Sequence, residues 1–317
     1  MEKEASPIAA VPPFCKKSPK EKWCTKMITQ QLINGLMIGS LYALTALGAT
    51  LIYGILRILD IANADAYLIG AYVGWYIYLS TGNIILTFLG AILLAGGLGV
   101  LLQKTVYSPI LAKPQVIAII PLVASVGLFT ISNDLVRLIA GPGTKAYNFS
   151  FPVESYRIGG LVILPSWILI FALTAALLLI LWFILNKTKL GLAWRATAQD
   201  SEIARAVGVD TSSAMALSYV LGYGFAAAAG IMVGILYNSI TPALGEVPSY
   251  KMLAIIVLGG LGNPFGTVIA GIFIGLTEVL ASVYTQIPIP KDAIAFVVLI
   301  IVLLIKPSGL ISQKNKT

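Results

Sequence analysis

Histidine is absent from the sequence, and only two cysteines, Cys15 and Cys24, occur in it. The first absence removes the usual proton shuttle and the commonest metal ligand of proteins. Both cysteines lie in a polar N-terminal segment, where their spacing does not fit a zinc site and a disulfide would need an oxidising compartment. No nucleophile is paired with a base and no cluster has metal-ligand spacing, so we expect no catalytic residue and no metal site in this chain.

Charge is also scarce. Charged residues make up 11% of the chain and hydrophobic residues 58%, with a mean hydropathy of +0.92, whereas an ordinary soluble domain is roughly 25% charged. Backbone groups cannot stay unpaired in lipid, so such a chain must form helices or a closed barrel. Its long apolar runs lack the alternation of barrel strands. The composition therefore predicts an all-α fold, a polytopic transmembrane helical bundle.

The apolar runs predict about eight or nine spans, since a helix needs roughly 20 apolar residues to cross a bilayer. We place a polar tail at 1–26, the transmembrane domain at 27–306 and a C-terminal tail at 307–317. The predicted spans are about 28–53, 66–79, 84–102, 116–139, 163–185, 213–237, 252–261, 267–284 and 293–305.

Basic residues concentrate beside these spans, at 103–115, at 188–210 and after 305. That distribution predicts that the three segments are cytoplasmic, and it assigns the net charge of +8 to membrane topology and not to nucleic acid binding. If the short 252–261 segment crosses, the N-terminus lies outside. The six lysines of the tail argue against that side, so the sequence leaves the N-terminal side open.

One polar segment, 188–210, interrupts the apolar sequence between two long spans. Its charged residues are Lys189, Arg195, Asp200, Glu202, Arg205 and Asp210. Good helix formers over 200–207, followed by Gly208 at a C-cap position, predict a short helix on the water side. The segment is either a docking helix for a soluble partner or a solvated connector.

Small residues recur four apart in four of the spans. The pairs are Gly35/Gly39, Gly70/Gly74, Gly230/Gly234 and Gly271/Gly275. Because lipid supplies no hydrophobic drive between helices, close backbone packing at such pairs holds a bundle together. The window 35–44 also resembles the window 271–280 in glycine spacing, which indicates either an inverted repeat or a chance match.

Acidic residues in or beside the membrane are the best pointers to function, because a charge is expensive there. The candidates are Asp60, Asp65, Asp134 and Glu278. Asp134 can be neutralised by Arg137 on the next turn, and Asp60 and Asp65 can lie at the interface. The glycine-rich segment 259–267 lacks the Gly-Lys-Ser/Thr ending of a phosphate loop, so we expect no nucleotide to bind there.

Four stretches of the sequence, 31–43, 59–72, 191–210 and 257–267, resemble the LivH/LivM family of permease subunits from ABC importers for branched-chain and related amino acids, and the LivH branch most. The resemblance implies that the 188–210 segment is a cytoplasmic coupling helix that docks on an ATPase subunit. The matching residues are Gly191, Arg195, Asp200, Ala204, Arg205 and Gly208. One departure is Ile61–Asp65, where Asn63 replaces a histidine usual in the family and Ala64 a glycine.

The resemblance further implies a bacterial inner-membrane protein that binds no cofactor itself, with ATP and Mg²⁺ on two partner ATPase subunits. It also implies a second, LivM-like permease subunit, an external substrate-binding protein and contact with membrane lipid. We expect a translocation path that includes Asn34, Tyr42, Asp60, Asn63, Asp65 and Glu278. The alternatives are an ABC permease for urea or a short amide, an ion-coupled secondary transporter and, last, an intramembrane enzyme.

Overall fold

The computed structural model describes residues 21–112, 117, 119–149, 155–158, 161–284 and 291–306. The C-terminal tail, Cys15 and most of the predicted N-terminal tail lie outside these residues. In the N-terminal half, α1 spans Glu21–Leu56, α2 Asn63–Thr81 and α3 Ile84–Leu102. A π-helical turn, Gln103–Tyr107, joins α3 to the short α4, Ser108–Leu111, and α5 spans Ile119–Ala140.

In the second half, three short strands precede α6: β1 (Lys145–Ala146), β2 (Tyr156–Ile158) and β3 (Leu161–Ile163). Then come α6 (Pro165–Lys187), α7 (Lys189–Gln199), α8 (Ser201–Ala206) and α9 (Thr211–Tyr237). The strand β4 (Ser239–Ile240) and a 3₁₀ turn (Pro242–Gly245) lead into α10 (Glu246–Gly259). The last two helices are α11 (Pro264–Tyr284) and α12 (Lys291–Ile305).

Local sequence explains several helix ends. Asn83 caps α3, its side chain accepting from the backbone amides of Ile85 and Leu86 at 2.9 and 3.4 Å. Gly82 ends α2 in the left-handed conformation that glycine adopts without strain, with φ of 63°. Pro264 opens α11, where its missing amide costs no hydrogen bond.

The helices are organised around α1 and α9, which are buried over most of their length, whereas α5 and α6 expose most of theirs. The exposed positions are apolar: Leu138 is 82% accessible and Leu179 66%. An apolar exterior around a packed interior is the arrangement expected of a helical bundle in lipid. The prediction of an all-α membrane bundle is therefore confirmed.

The predicted count of eight or nine spans is not confirmed. Within the described part of the chain, six helices are long and apolar enough to cross a bilayer, at 28–56, 84–111, 119–140, 165–187, 211–237 and 264–283. Helix α2 is as long as α3 but less apolar, and α10 and α12 have 14 and 15 residues.

Helices α1 and α2 extend beyond the predicted spans. Helix α1 begins at Glu21, inside the segment predicted as tail, because helix formation continues beyond the apolar run. Helix α2 begins at Asn63, so Asn63 and Asp65 belong to its first turn and are buried. The short strands were not predicted; β1 pairs with β4 and β2 with β3, each antiparallel.

Candidate functional site

A cavity of about 330 Å³ lies among α1, α2, α9, α10 and the 3₁₀ turn that precedes α10. Its walls are mostly apolar and include Ile38, Leu41, Val233, Leu244, Val247 and Ile255. Polar groups reach it at a few points, notably Tyr42, Thr45 and Lys251. A small, mainly apolar cavity with a few convergent polar groups is the usual form of a small-molecule site, and its size is at the lower end of the common range.

A buried ion pair stands at this cavity. The Lys251 ammonium lies 3.0 Å from both carboxylate oxygens of Glu278, and each side chain is 3% exposed. Lys251 also donates to the Tyr42 hydroxyl at 2.6 Å, and that hydroxyl donates to Glu278 at 3.3 Å. Since a buried charge is tolerated only when paired and hydrogen-bonded, the three groups form one interdependent unit.

Close packing of α1 against α11 brings Tyr42 to Glu278. A Cβ atom on Gly39 would lie 2.7 Å from the Ile272 Cα, and one on Gly35 would lie 2.9 Å from the Leu276 Cα. Gly271 and Gly275 approach α1 from the other side, at Ala43 and Gly39. The two helices are antiparallel. They contain the windows 35–44 and 271–280, whose sequences resemble each other.

The other two small-residue pairs also lie at helix contacts. Gly70 packs on Ala227 and Gly230 on Tyr67, which joins α2 to α9. Gly74 and Gly234 both pack on the Tyr147 side chain. All eight glycines therefore lie where a larger side chain would push neighbouring groups apart.

Asp60 belongs to a separate polar cluster. It is 1% exposed and accepts hydrogen bonds from the Tyr107 hydroxyl at 2.6 Å and the Tyr223 hydroxyl at 3.3 Å. The Tyr219 ring packs against both tyrosine rings in a tilted arrangement. The structure thus buries Asp60 inside the bundle.

The remaining predicted path residues have other neighbours. Asp65 is 2% exposed and accepts from the Asn133 amide at 3.3 Å. Asn63 is fully buried between α1 and α9, where its side-chain amide can donate to the Gly222 carbonyl and accept from the Ala49 amide. Asn34 donates to Gln31 on its own helix at 3.2 Å. Of the six predicted path residues, Tyr42 and Glu278 are the two that the described hydrogen bonds join directly.

Asp134 differs from these buried groups, because its side chain is exposed on α5. Arg137 is 3.7 Å from Asp134 and 3.3 Å from Glu246, and all three side chains are about half exposed. The pairing predicted from their spacing is present. Such exposed pairs contribute little to stability.

The 188–210 segment forms α7 and α8 at one end of the bundle. Arg195, Asp200, Arg205 and Gly208 are exposed, whereas Gly191 and Ala204 are buried. Asp200 caps α8, accepting from the amides of Glu202 and Ile203 at 2.9 and 3.0 Å. Gly208 follows α8 with φ of 86°, the left-handed conformation that ends a helix. Hydrogen bonds from Ser213 hold the pKa of Asp210 below its usual range.

Two side chains connect α7 to the bundle. Trp194 is 6% exposed, its indole NH donates to the Ser218 hydroxyl on α9 at 2.8 Å, and its ring covers Gly54 of α1. Arg57, just after α1, donates to the Ala198 carbonyl of α7 at 3.1 Å. The segment is therefore attached to the two central helices and not suspended between spans.

Sequence reasoning missed Lys251. The apolar segment was predicted to begin at about Met252, which left the lysine outside it. Helix α10 in fact begins at Glu246, which puts Lys251 inside it. A lysine one residue before an apolar run, with an unpaired acid in the next span, was the available signal. Among the described residues no group of three acidic, histidine or cysteine side chains could hold a metal ion.

Comparison with known proteins identifies the family. Residues 31–303 match the family described as branched-chain amino acid transport system / permease component. The LivH permease protein of Escherichia coli K12 is 31% identical over 297 residues, which cover 90% of this chain and 95% of that protein. BraD of Pseudomonas aeruginosa is 30% identical over 300 residues, with the same coverage.

The LivM permease protein of Salmonella typhimurium is 29% identical over 122 residues, 37% of this chain and 29% of that protein. Similarity to LivH and BraD thus extends over nearly the whole chain, while similarity to LivM is confined to part of it. The chain is a multi-pass membrane protein and belongs to the branched-chain amino acid transport system permease family.

Proposed function

We propose that this chain is the LivH-type permease subunit of an ABC importer that moves branched-chain or related amino acids across the bacterial inner membrane. The observation that carries the proposal is the family match over 31–303, joined with an exposed helical segment attached to the central helices. The relatives named above are high-affinity branched-chain amino acid permeases.

The 188–210 segment is the proposed docking surface for the ATPase subunits, and we call it the coupling loop. Its outer face combines the exposed Arg195 and Arg205 with two apolar side chains, Ile203 and Val207, which are 63% and 73% accessible. Exposed apolar residues rimmed by charge are typical of protein interfaces. Gly191 and Ala204 support that face from within.

ATP and Mg²⁺ bind, in this proposal, only to the two partner ATPase subunits. Closure of those subunits displaces α7, and Trp194 and Arg57 transmit the displacement to α9 and α1. Both helices line the cavity, so their movement relative to α10 and α11 opens it to one side of the membrane and then the other. That sequence is alternating access driven from the cytoplasm.

The proposed topology puts the N-terminus outside. The Gln30 side chain exchanges hydrogen bonds of 2.9 and 3.1 Å with the backbone of Val162, at the end of α6 opposite the coupling loop. The far end of α1 lies beside α7, through Arg57. Counting α2, α10 and α12 as spans gives nine crossings, and it leaves both the coupling loop and Lys306 on the cytoplasmic side, as the positive-inside rule requires.

A second, LivM-like permease and an external binding protein complete the proposed importer. The binding protein delivers the amino acid to the outer face, and the second permease packs on the apolar exterior of this one. In the carrier alternative, one chain works alone and an ion gradient drives it.

Capture of ATPase subunits tests the proposal. The full chain is purified in mild detergent with candidate ABC ATPase subunits, beside Arg195→Glu and a matched charge reversal outside the coupling loop, Lys104→Glu. We expect wild type and Lys104→Glu to retain the ATPases and Arg195→Glu to lose them. Reconstituted wild-type complex should accumulate L-leucine only with ATP. Equal capture by both variants, or uptake that follows an ion gradient without ATP, would contradict the proposal.

A further inference from the structure

Among the described residues that line the cavity, one is cationic, Lys251, and its counter-charge is Glu278. Lys251 and Tyr42 line the cavity, whereas Glu278, on α11, contacts Lys251 but is not among the lining residues. The Lys251 ammonium also contacts the Tyr42 hydroxyl at 2.6 Å and lies over the Tyr42 ring, whose centroid is 4.7 Å away. A ligand in the cavity therefore meets positive charge first.

The ion pair as a whole is neutral, and this restricts the ligand. In a site of low dielectric an unbalanced charge is costly, so a ligand with net charge would leave one group unpaired. A zwitterion brings equal and opposite charges. Its carboxylate can share Lys251, and its ammonium can face the Tyr42 ring, with no net charge added.

The rest of the cavity matches an apolar side chain. Ile38 and Leu41 line the cavity from α1, Val233 lines it from α9, and Val247 and Ile255 line it from α10. A neutral amide such as urea has no alkyl group to place against these walls and no carboxylate to offer to Lys251. Charge and apolar walls together select a small amino acid with an aliphatic side chain.

We propose that Lys251 binds the α-carboxylate of a zwitterionic aliphatic amino acid in this cavity, with Tyr42 beside it and Glu278 as the counter-charge that holds the Lys251 ammonium in position. The inference rests on the proposed function, since it assigns the cargo of that importer a place in this chain. It makes Lys251 a specificity-determining residue and Glu278 a positioning residue.

Charge exchange within the pair separates ligand recognition from a structural role. The double variant Lys251→Glu/Glu278→Lys keeps the ion pair but puts the carboxylate at the cavity wall. The full importer is reconstituted with wild type, Lys251→Met, Lys251→Arg and the double variant. ATP-driven uptake of L-leucine is measured in each, together with the melting temperature and the retention of ATPase subunits.

We expect the double variant to melt near wild type and retain the ATPases, yet to lose L-leucine uptake by about ten- to a hundred-fold, the value of one charge-assisted contact. Lys251→Met should lose uptake to the same extent, and Lys251→Arg should retain more than either. L-leucine, but not leucinamide, should raise the melting temperature of the wild-type complex and leave that of the double variant unchanged.

Two results would overturn the inference: recovery of uptake in the double variant, or an equal thermal shift by leucinamide, which lacks the carboxylate. Either result would leave the pair a purely structural element. The proposed function fails separately, if the wild-type importer shows no ATP-driven uptake of L-leucine at all.

Discussion

Removal of one member of the Lys251–Glu278 pair should destabilise the protein far more than removal of both. In Glu278→Leu the Lys251 ammonium stays at a position that is 3% exposed and loses both carboxylate contacts at 3.0 Å. The Tyr42 hydroxyl, its remaining neighbour in the trio, carries no charge to balance it. Breaking a buried pair in this way costs about 3–5 kcal/mol of unfolding free energy.

The double variant Lys251→Met/Glu278→Leu removes both charges and keeps the volumes similar. Replacement of a buried pair by apolar residues is commonly neutral or stabilising by about 1–4 kcal/mol. The two single effects therefore should not add, and the coupling free energy from the double-mutant cycle should reach several kcal/mol. Uptake of amino acid should be lost in the double variant in spite of its stability.

The measurement is unfolding of the purified chain in mixed detergent micelles by sodium dodecyl sulfate, followed by circular dichroism. Wild type, both single variants and the double variant are compared under one set of conditions. A single variant within about 0.5 kcal/mol of wild type, the range of an ordinary surface change, would refute the reasoning. So would single effects that simply sum.

Three further predictions concern the α1–α11 contact, the attachment of α7 to α9 and the cap of α8. Gly39→Val should separate α1 from α11 and lower the melting temperature in detergent. Gly97→Val, at a glycine with open space around it, should leave the melting temperature unchanged. Trp194→Phe removes the bond to Ser218 and should slow ATP-driven uptake while the chain stays folded; uptake at the wild-type rate would contradict the proposed transmission through α7. Asp200→Ala removes the cap of α8 and should cost about 0.5–2 kcal/mol locally, seen as faster amide exchange over 201–206 with unchanged exchange in α1.

The helical class and most of the long helices follow from apolar run length alone. The helix boundaries did not, because hydropathy has no signal where a helix continues into polar residues, as α1 does toward Glu21. The short strands were beyond reach for another reason. They pair segments as distant as Lys145 and Ile240, and two-residue strands leave no periodicity in a sequence.

Of the two charged residues in the buried ion pair, the sequence indicated one. Glu278 stood out because an acid inside an apolar span requires an explanation, and it does belong to the buried ion pair. Lys251 did not stand out, since a lysine at the edge of an apolar run is typical of an interface. Asp60 and Asp65 were also singled out as acids near the membrane. Their hydrogen-bond partners are tyrosine and asparagine side chains, and the sequence does not show which of its many polar side chains lie beside them.

The contact between α1 and α11 can form only late in the synthesis of the chain. Tyr42 and Glu278 are 236 residues apart, and ribosomes add about 5–20 residues per second, so Glu278 is made roughly 10 to 50 s after Tyr42. Throughout that interval the glycine face of α1 has no α11 to cover it. The first helix into the membrane thus waits for nearly the last, and a chain cut short before α11 would carry an uncovered α1 surface for quality-control proteases to recognise.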